Sequence, residues 1–283
     1  MRALTSVLAG LVLFAGCGHT PKPPRHAAVD RPKQVENSHA TLYALFSTTA
    51  VSLPRNAVRF AERTSAPAAR DPAHIAELER ILRETHDQQT LFGTAAEFVQ
   101  QRFDAKKFLP AVDTWTSSPV AVRVFSARAA AVASQGGDES RAAARAFFDR
   151  LSTEPPAARR MDLVRRLDLA SREAELTVQV TVSMLRLGDD IATALGPAAP
   201  GSPAPLDEPT RERVEKTIRE QAPLTLLYAL RDLPDADLQK AVEFWESDAG
   251  KWYAETLSKA VDASLARARE DAVLRTTRLA ATK

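Results

Sequence analysis

Apolar side chains recur at steps of three, four or seven along much of this chain, which is the spacing that places them on one face of an α-helix. The clearest stretch runs from Met161 to Leu195 and predicts one amphipathic helix. Its apolar stripe consists of Val164, Leu167, Ala174, Val178, Met184 or Leu185, Ile191 and Leu195. Within it, Thr177 to Met184 alternates like a β-strand and is rich in β-branched residues. A break or irregularity at that point is the open alternative.

Proline and glycine positions extend the helical prediction to most of the chain. An interior proline costs a helix about 3 kcal/mol, and four long windows contain none: residues 73–109, 120–154, 157–196 and 235–283. Only seven of the ten glycines lie beyond residue 18, too few for the turns of a β-sandwich or barrel. We therefore predict an all-α fold of packed helices.

Loops are predicted where small, polar and proline residues cluster. These segments are residues 134–140, 153–158 and 196–205, and the last has four prolines and two glycines in ten residues. Such a composition is typical of an exposed hinge or a disordered excursion.

The N-terminus has the layout of a secretory signal. Arg2 precedes an apolar run over residues 3–16 that ends in small residues. This run is shorter than the roughly 20 residues needed to span a bilayer. Residues 1–16 are therefore expected to be a signal peptide that is removed.

The segment Ala15-Gly16-Cys17 resembles the lipobox of bacterial lipoproteins, although Phe14 stands where leucine is usual. The resemblance implies that Cys17 carries a diacylglyceryl group and becomes the mature N-terminus. Acylation would also account for a single cysteine in an exported chain, which has no disulfide partner. Gly18 replaces the aspartate that retains many lipoproteins at the inner membrane, so the resemblance favours the periplasmic face of the outer membrane. The alternative is an ordinary signal cleaved near Gly16, which would leave a free thiol.

Residues 17–36 are predicted to be a flexible, disordered tether. They include four prolines and almost no large apolar side chain, a composition that favours extended, partly stiffened chain. The lipid at Cys17 would thus hold the helical part on a membrane without a spanning segment.

Residues 234–261 predict a tight helical hairpin. Asp235 is the expected N-cap of its first helix and Ser247 that of its second, while Gly250 suits a close crossing by another backbone. Tyr253, Leu257, Val261 and Leu265 follow at steps of four, so they should share one buried face. The hairpin contains an aromatic cluster made of Phe244, Trp245, Trp252 and Tyr253. These four are candidate contacts for a partner or ligand, but helical spacing favours core packing for Trp245, Trp252 and Tyr253.

A second hairpin of this kind occurs earlier in the chain. Residues 111–118 align with residues 241–248 at an offset of 130, whereas an offset of 129 aligns Ser118 with Ser247. Pro119 then occupies the first helical position, where its missing N–H is harmless. We infer two related helical-hairpin units in tandem, near residues 37–152 and 157–283, that together form a helical bundle.

The C-terminal hairpin resembles the motif of an uncharacterised bacterial envelope family, domain-of-unknown-function family 2059. Phe244 and Trp245 match its aromatic pair, Ser247 its serine and Gly250 its glycine, while Asp248 replaces the usual proline. The similarity covers roughly residues 157–270. It implies an exported all-α protein and no established activity.

The sequence predicts no metal, no cofactor and no catalytic residue. The five histidines all lie in the first 86 residues, without the i, i+4 spacing of a helical metal site. His74 and His86 are expected to be exposed on a helix. A Gly-x-Ser-x-Gly elbow, a phosphate-binding loop and a dinucleotide fingerprint are all missing from the sequence. A net charge of +2 without a basic stripe gives no support for binding to nucleic acid.

Three functions are compatible with these features. The first, which we favour, is a non-catalytic, membrane-anchored lipoprotein that binds an envelope partner protein or supports an envelope assembly. The second is a carrier of an apolar ligand between the helices. The third is a cell-wall hydrolase that uses the acidic residues Glu243, Glu246 and Asp248.

Overall fold

The structure is a computed structural model that describes Val58 and residues 72–102, 107–134, 138–151, 153–156, 158–196 and 206–281. Within these ranges the chain forms helices and short connections and no strand, so the all-α prediction is confirmed. The helices are α1 Pro72–Thr85, α2 Gln88–Arg102, α3 Leu109–Thr116, α4 Pro119–Ser134, α5 Asp138–Leu151, α6 Ala158–Ser171, α7 Glu173–Ala194, α8 Glu208–Ala229, α9 Asp235–Glu246 and α10 Asp248–Ala281. The predicted signal 1–16, Cys17, the tether 17–36 and residues 197–205 of the predicted hinge lie outside the described residues.

The chain divides into two compact units whose segments alternate along the sequence. Among the described residues, the first unit comprises those within 104–171 and 221–254, and the second comprises Val58 and those within 72–102, 172–220 and 255–281. This division reflects which residues contact one another in the fold. The tandem duplication over residues 37–152 and 157–283 is a statement about related sequences and stays a prediction.

The prediction of a single helix from Met161 to Leu195 is wrong, because the helix is interrupted at one residue. Arg172 separates α6 from α7 in the left-handed conformation, with φ 57° and ψ 34°. Non-glycine residues adopt this conformation rarely and at a cost. Buried side chains lie on both sides of the break, among them Leu167 and Val178. The stretch from Thr177 to Met184, where a break was the open alternative, is regular helix.

Two other helices differ from the sequence prediction. Helix α5 begins at Asp138, so the last part of the predicted loop 134–140 is helical. Helix α8 lies outside the proline-free windows and continues through Pro223. Its start is capped by Asp207, whose Oδ1 accepts a hydrogen bond of 2.9 Å from the Thr210 amide.

Helix α9 is the centre of the first unit, where it packs against α6 and α4. Its interior positions Leu238, Ala241 and Val242 are fully buried. Two ion pairs join it to these neighbours: Arg123 on α4 bonds Asp237 at 2.8 and 2.9 Å, and Arg166 on α6 bonds Glu246 at 2.9 and 2.7 Å.

The second unit includes α7 and the later part of α10. Leu257, Val261 and Leu265 are buried there, and Tyr253 is buried earlier in the same helix, so the predicted apolar face of α10 is confirmed. Ser264 on this helix donates a 2.7 Å hydrogen bond to the Leu91 carbonyl of α2. In the part of the chain that the structure describes, no helix combines the length and apolar character needed to cross a membrane.

Candidate functional site

The two hairpins are capped in the same way. Ser247 accepts a 3.1 Å hydrogen bond from the Gly250 amide, and Ser118 accepts one of the same length from the Ala121 amide. Pro119 is the first residue of α4. The predicted serine caps and the proline position are therefore confirmed. Asp235 is different: Pro234 holds the N-cap position of α9 and Asp235 is the first helical residue, with its carboxylate bonded to Arg160 at 2.5 Å.

The structure explains why the sequences of the hairpins align at two offsets. Before the turn, the buried pair Val112 and Val242 correspond at an offset of 130. After the turn, Ser118 and Ser247 correspond at an offset of 129. The difference is one additional turn residue, since α3 ends two residues before its serine cap and α9 ends directly before its own.

Gly250 lies at a close approach between the two helices of the second hairpin. A Cβ atom at this position would lie 2.1 Å from the Phe244 carbonyl oxygen and 2.6 Å from the Trp245 Cα. Both atoms belong to the backbone of α9, which cannot move aside as a flexible side chain could. The close crossing predicted at Gly250 is confirmed.

Aromatic side chains link the two hairpins within the first unit. Trp115 of the first hairpin stacks on Phe244 of the second, with ring centroids 4.7 Å apart. Trp245 stacks on Tyr253 at 5.6 Å, and Phe108 stacks on Trp252 at 5.6 Å. Offset stacks at such distances add to the free energy of burial.

Burial separates the four candidate contact residues into two pairs. Trp245 is 2% exposed and Tyr253 is 0% exposed, so both belong to the core. Phe244 and Trp252 are half-buried. Of the four candidates, only Phe244 and Trp252 present surface to a partner in this conformation.

The acidic residues of this hairpin lack the environment of a general acid. Arg166 holds Glu246 through two hydrogen bonds and keeps the pKa of that carboxyl below its usual range. An acid that protonates a leaving group needs a raised pKa. Glu243 is exposed and accepts a 3.0 Å bond from Gln239, and Asp248 is an exposed first residue of α10. This geometry gives the hydrolase hypothesis no support.

A polar groove in the second unit escaped the sequence analysis. It has a volume of about 190 Å³ and lies between α7, α8 and α10. Its lining consists of Val178, Gln179, Val182, Ser183, Arg186, Glu215, Asp262, Ala266 and Arg269. The polar side chains of this lining lie at the margins of apolar stripes. In a sequence, a polar residue at such a position usually marks only the limit of the buried face.

His86 is buried, whereas an exposed position on a helix was predicted. It is 1% exposed at the end of α1, where its Nδ1 lies 2.9 Å from the Thr85 hydroxyl. Burial lowers the pKa of His86 to about 4, against a smaller opposing effect of the Leu82 backbone. His74, on α1, is half-buried, so its predicted exposure is wrong as well. Local spacing could not reveal this burial, because it depends on the packing around the α1–α2 junction.

Within the described ranges, no group of three or more histidine, cysteine, aspartate or glutamate side chains is arranged to hold a metal ion. No protein-family model, curated protein or solved structure matches this chain.

Proposed function

We propose that this chain is a non-catalytic lipoprotein, anchored through Cys17 and the tether 17–36, whose helical part binds a partner protein of the bacterial cell envelope or supports an assembly there. The membrane contact is the lipid alone. In this proposal the protein resides on the periplasmic face of the outer membrane.

One observation carries the proposal: the charged and aromatic residues that stand out in the hairpin sequences hold the helices together. The acidic residues Asp237 and Glu246 are engaged by arginines, and Trp245 and Tyr253 fill the core. A fold whose charged and aromatic side chains hold helices together suits a rigid binding module. Surface remains available at Phe244 and Trp252.

The apolar-carrier hypothesis is supported less well. A carrier site for an apolar ligand is lined predominantly by hydrophobic side chains. The groove between α7, α8 and α10 instead carries four charged residues, namely Arg186, Glu215, Asp262 and Arg269.

The anchor and the partner can be tested in the same cells. Mass spectrometry of the mature N-terminus should find a diacylglyceryl group on Cys17, and Cys17→Ser should move the protein from the membrane to the soluble fraction. An unmodified thiol on the mature protein would contradict the anchor.

For the partner, a photo-crosslinking amino acid would replace Phe244 or Trp252 in turn. The same substitution at Glu243, which is exposed on α9, serves as the control. We expect one defined protein to crosslink at 244 or 252 and not at 243. The same products at all three positions, or none at any of them, would argue against this surface as the contact.

A further inference from the structure

The groove of the second unit contains charges that the protein itself does not neutralise. Glu215 contacts Arg219 at 3.1 Å and Arg211 at 3.7 Å, and Arg269 contacts Asp190 at 3.7 Å. Arg186 and Asp262 have no hydrogen bond or ion pair with any residue that the structure describes. One cation and one anion of the lining therefore remain available to a ligand.

A buried hydrogen-bond acceptor also lines this groove. Gln179 donates through Nε2 to the Ser258 hydroxyl at 2.8 Å. Its Oε1 is buried and has no hydrogen-bond partner among the described residues. A buried carbonyl without a donor is costly, and such groups call for a water or a ligand atom.

Two contacts establish how the groove's charges are spaced. Gln179 with Ser258 and Asp190 with Arg269 join α7 to α10, and both pairs are 79 positions apart in sequence. The two helices therefore run parallel in constant register, and Asp262 lies level with Ser183. Arg186 is three residues further along α7, about 4.5 Å at the helical rise of 1.5 Å per residue. Gln179 lies one turn before Ser183, on the side away from Arg186.

We propose that this groove binds a small zwitterion of the amino-acid class. Its carboxylate would pair with Arg186, whose planar guanidinium fits a carboxylate through two N–H donors. Its ammonium would donate to Asp262 and to the Gln179 Oε1 atom. The volume of about 190 Å³ is below the range for drug-sized ligands, which suits a molecule of this size. The inference is independent of the proposed envelope role.

Isothermal titration of the detergent-solubilised full chain tests the proposal. The probes are L-alanine and diglycine, with acetate and methylammonium as ligands that carry only one of the two charges. We expect saturable binding of L-alanine or diglycine and at least about tenfold weaker binding of both single-charge ions, since each lost charge-assisted bond costs about that factor. Preference for L-alanine indicates a free amino acid, and preference for diglycine a peptide with both termini free.

Variants assign the binding to this groove. Arg186→Gln and Asp262→Asn should each weaken the binding about tenfold or more. Both side chains are exposed, so the fold should persist, which circular dichroism checks. Arg213→Gln and Glu270→Gln change exposed charges outside the lining and should leave binding unchanged. The proposal is overturned if neither zwitterion binds saturably, or if Arg186→Gln and Asp262→Asn bind as well as the original chain.

Discussion

Gly250 and Gly93 both lie inside helices, but a methyl group would meet very different surroundings at the two positions. At Gly250 the new Cβ would collide with the α9 backbone, 2.1 Å from the Phe244 carbonyl oxygen. At Gly93 no described atom outside the adjacent backbone of the same helix lies within 4 Å of the new atom. The two sites therefore separate the effect of helix propensity from that of close packing.

We expect Gly250→Ala to lower the free energy of unfolding by about 1–3 kcal/mol, the usual cost of overpacking. Gly93→Ala should raise it by up to about 1 kcal/mol, because alanine is the better helix former. Urea denaturation of both variants measures the difference. Equal stabilities for the two variants would show that α9 and α10 do not cross as closely as the structure indicates.

The burial of His86 predicts that stability depends on pH. In the unfolded chain the imidazole has its usual pKa near 6.5, and in the folded chain the pKa is lowered to about 4. Between these values the unfolded chain binds more protons, so the free energy of unfolding falls as the pH falls. From pH 6.5 to pH 4 the loss from this group is about 3 kcal/mol.

Denaturation curves measured between pH 7 and pH 4 test this dependence, with His86→Leu as the comparison. The Thr85 hydroxyl keeps a partner in the variant, because it also donates to the Ile81 carbonyl at 2.9 Å. We expect the variant to lose much of the slope between pH 6.5 and pH 4. A slope as steep as that of the original chain would mean that His86 is not the group responsible.

The residues that the sequence could identify are those whose role is local. Ser118 and Ser247 act within three residues of themselves, and Gly250 is recognisable because it follows a serine cap. Arg186, Asp262 and His86 could not be assigned in this way. Their importance arises from neighbours on other helices or from burial, neither of which leaves a signal in the adjacent sequence.

Arg160 on α6 holds the connection between α8 and α9. Its guanidinium donates hydrogen bonds to the backbone carbonyls of Leu230, Arg231 and Leu233 and to the Asp235 carboxylate. These carbonyls belong to the connection that follows α8, where the helical hydrogen bonding ends. The Leu230 carbonyl also accepts a 3.0 Å bond from the Leu233 amide.

 The individual N···O distances are 2.7 Å to Leu230, 3.1 Å to Arg231 and 3.0 Å to Leu233. One cationic fork therefore satisfies several of these groups at once.

We expect Arg160→Met to reduce the free energy of unfolding by about 2 kcal/mol, the range for lost hydrogen bonds to a charged group. Arg160→Lys should recover only part of this loss, because an ammonium lacks the planar fork. The neighbouring Arg159 is exposed, so Arg159→Met should change stability by less than about 0.5 kcal/mol. Thermal and urea denaturation report the three values, and a similar loss for both methionine variants would contradict the role given to Arg160.

At the level of helices, the sequence was most informative where start signals and apolar spacing agree. The second hairpin met both conditions, and its two helices begin within one residue of the predicted caps Asp235 and Ser247. Helix α10, however, continues to Ala281, well beyond the predicted hairpin at 234–261. The break at Arg172 could not be predicted, because arginine is a good helix former and no glycine or proline stands there. Helix α8 was missed because Pro223 argues against an interior position, although tertiary packing tolerates it.

At the scale of the whole molecule, sequence order and spatial grouping differ. The first unit combines residues 104–171 with residues 221–254, so the two aromatic hairpins contribute to one core although they are far apart in the chain. Hydrophobic periodicity predicts helices and their buried faces, but not which distant helices share a core. This is why the fold class followed from the sequence while the stacking of Trp115 on Phe244 did not.

The predicted tether provides a test that involves the complete chain. If residues 1–36 serve only as signal peptide and tether, their removal should leave the helical content and the unfolding midpoint unchanged. Removal of residues 1–71 should lower the midpoint, because it also deletes Val58, which is 4% exposed. Loss of a buried valine side chain costs about 1.5 kcal/mol or more. Circular dichroism during heating compares the two truncated chains with Val58→Ala in the full chain. If removing residues 1–36 destabilised the protein as much as removing residues 1–71, the tether would be part of the folded structure. The prediction of a flexible tether would then be wrong.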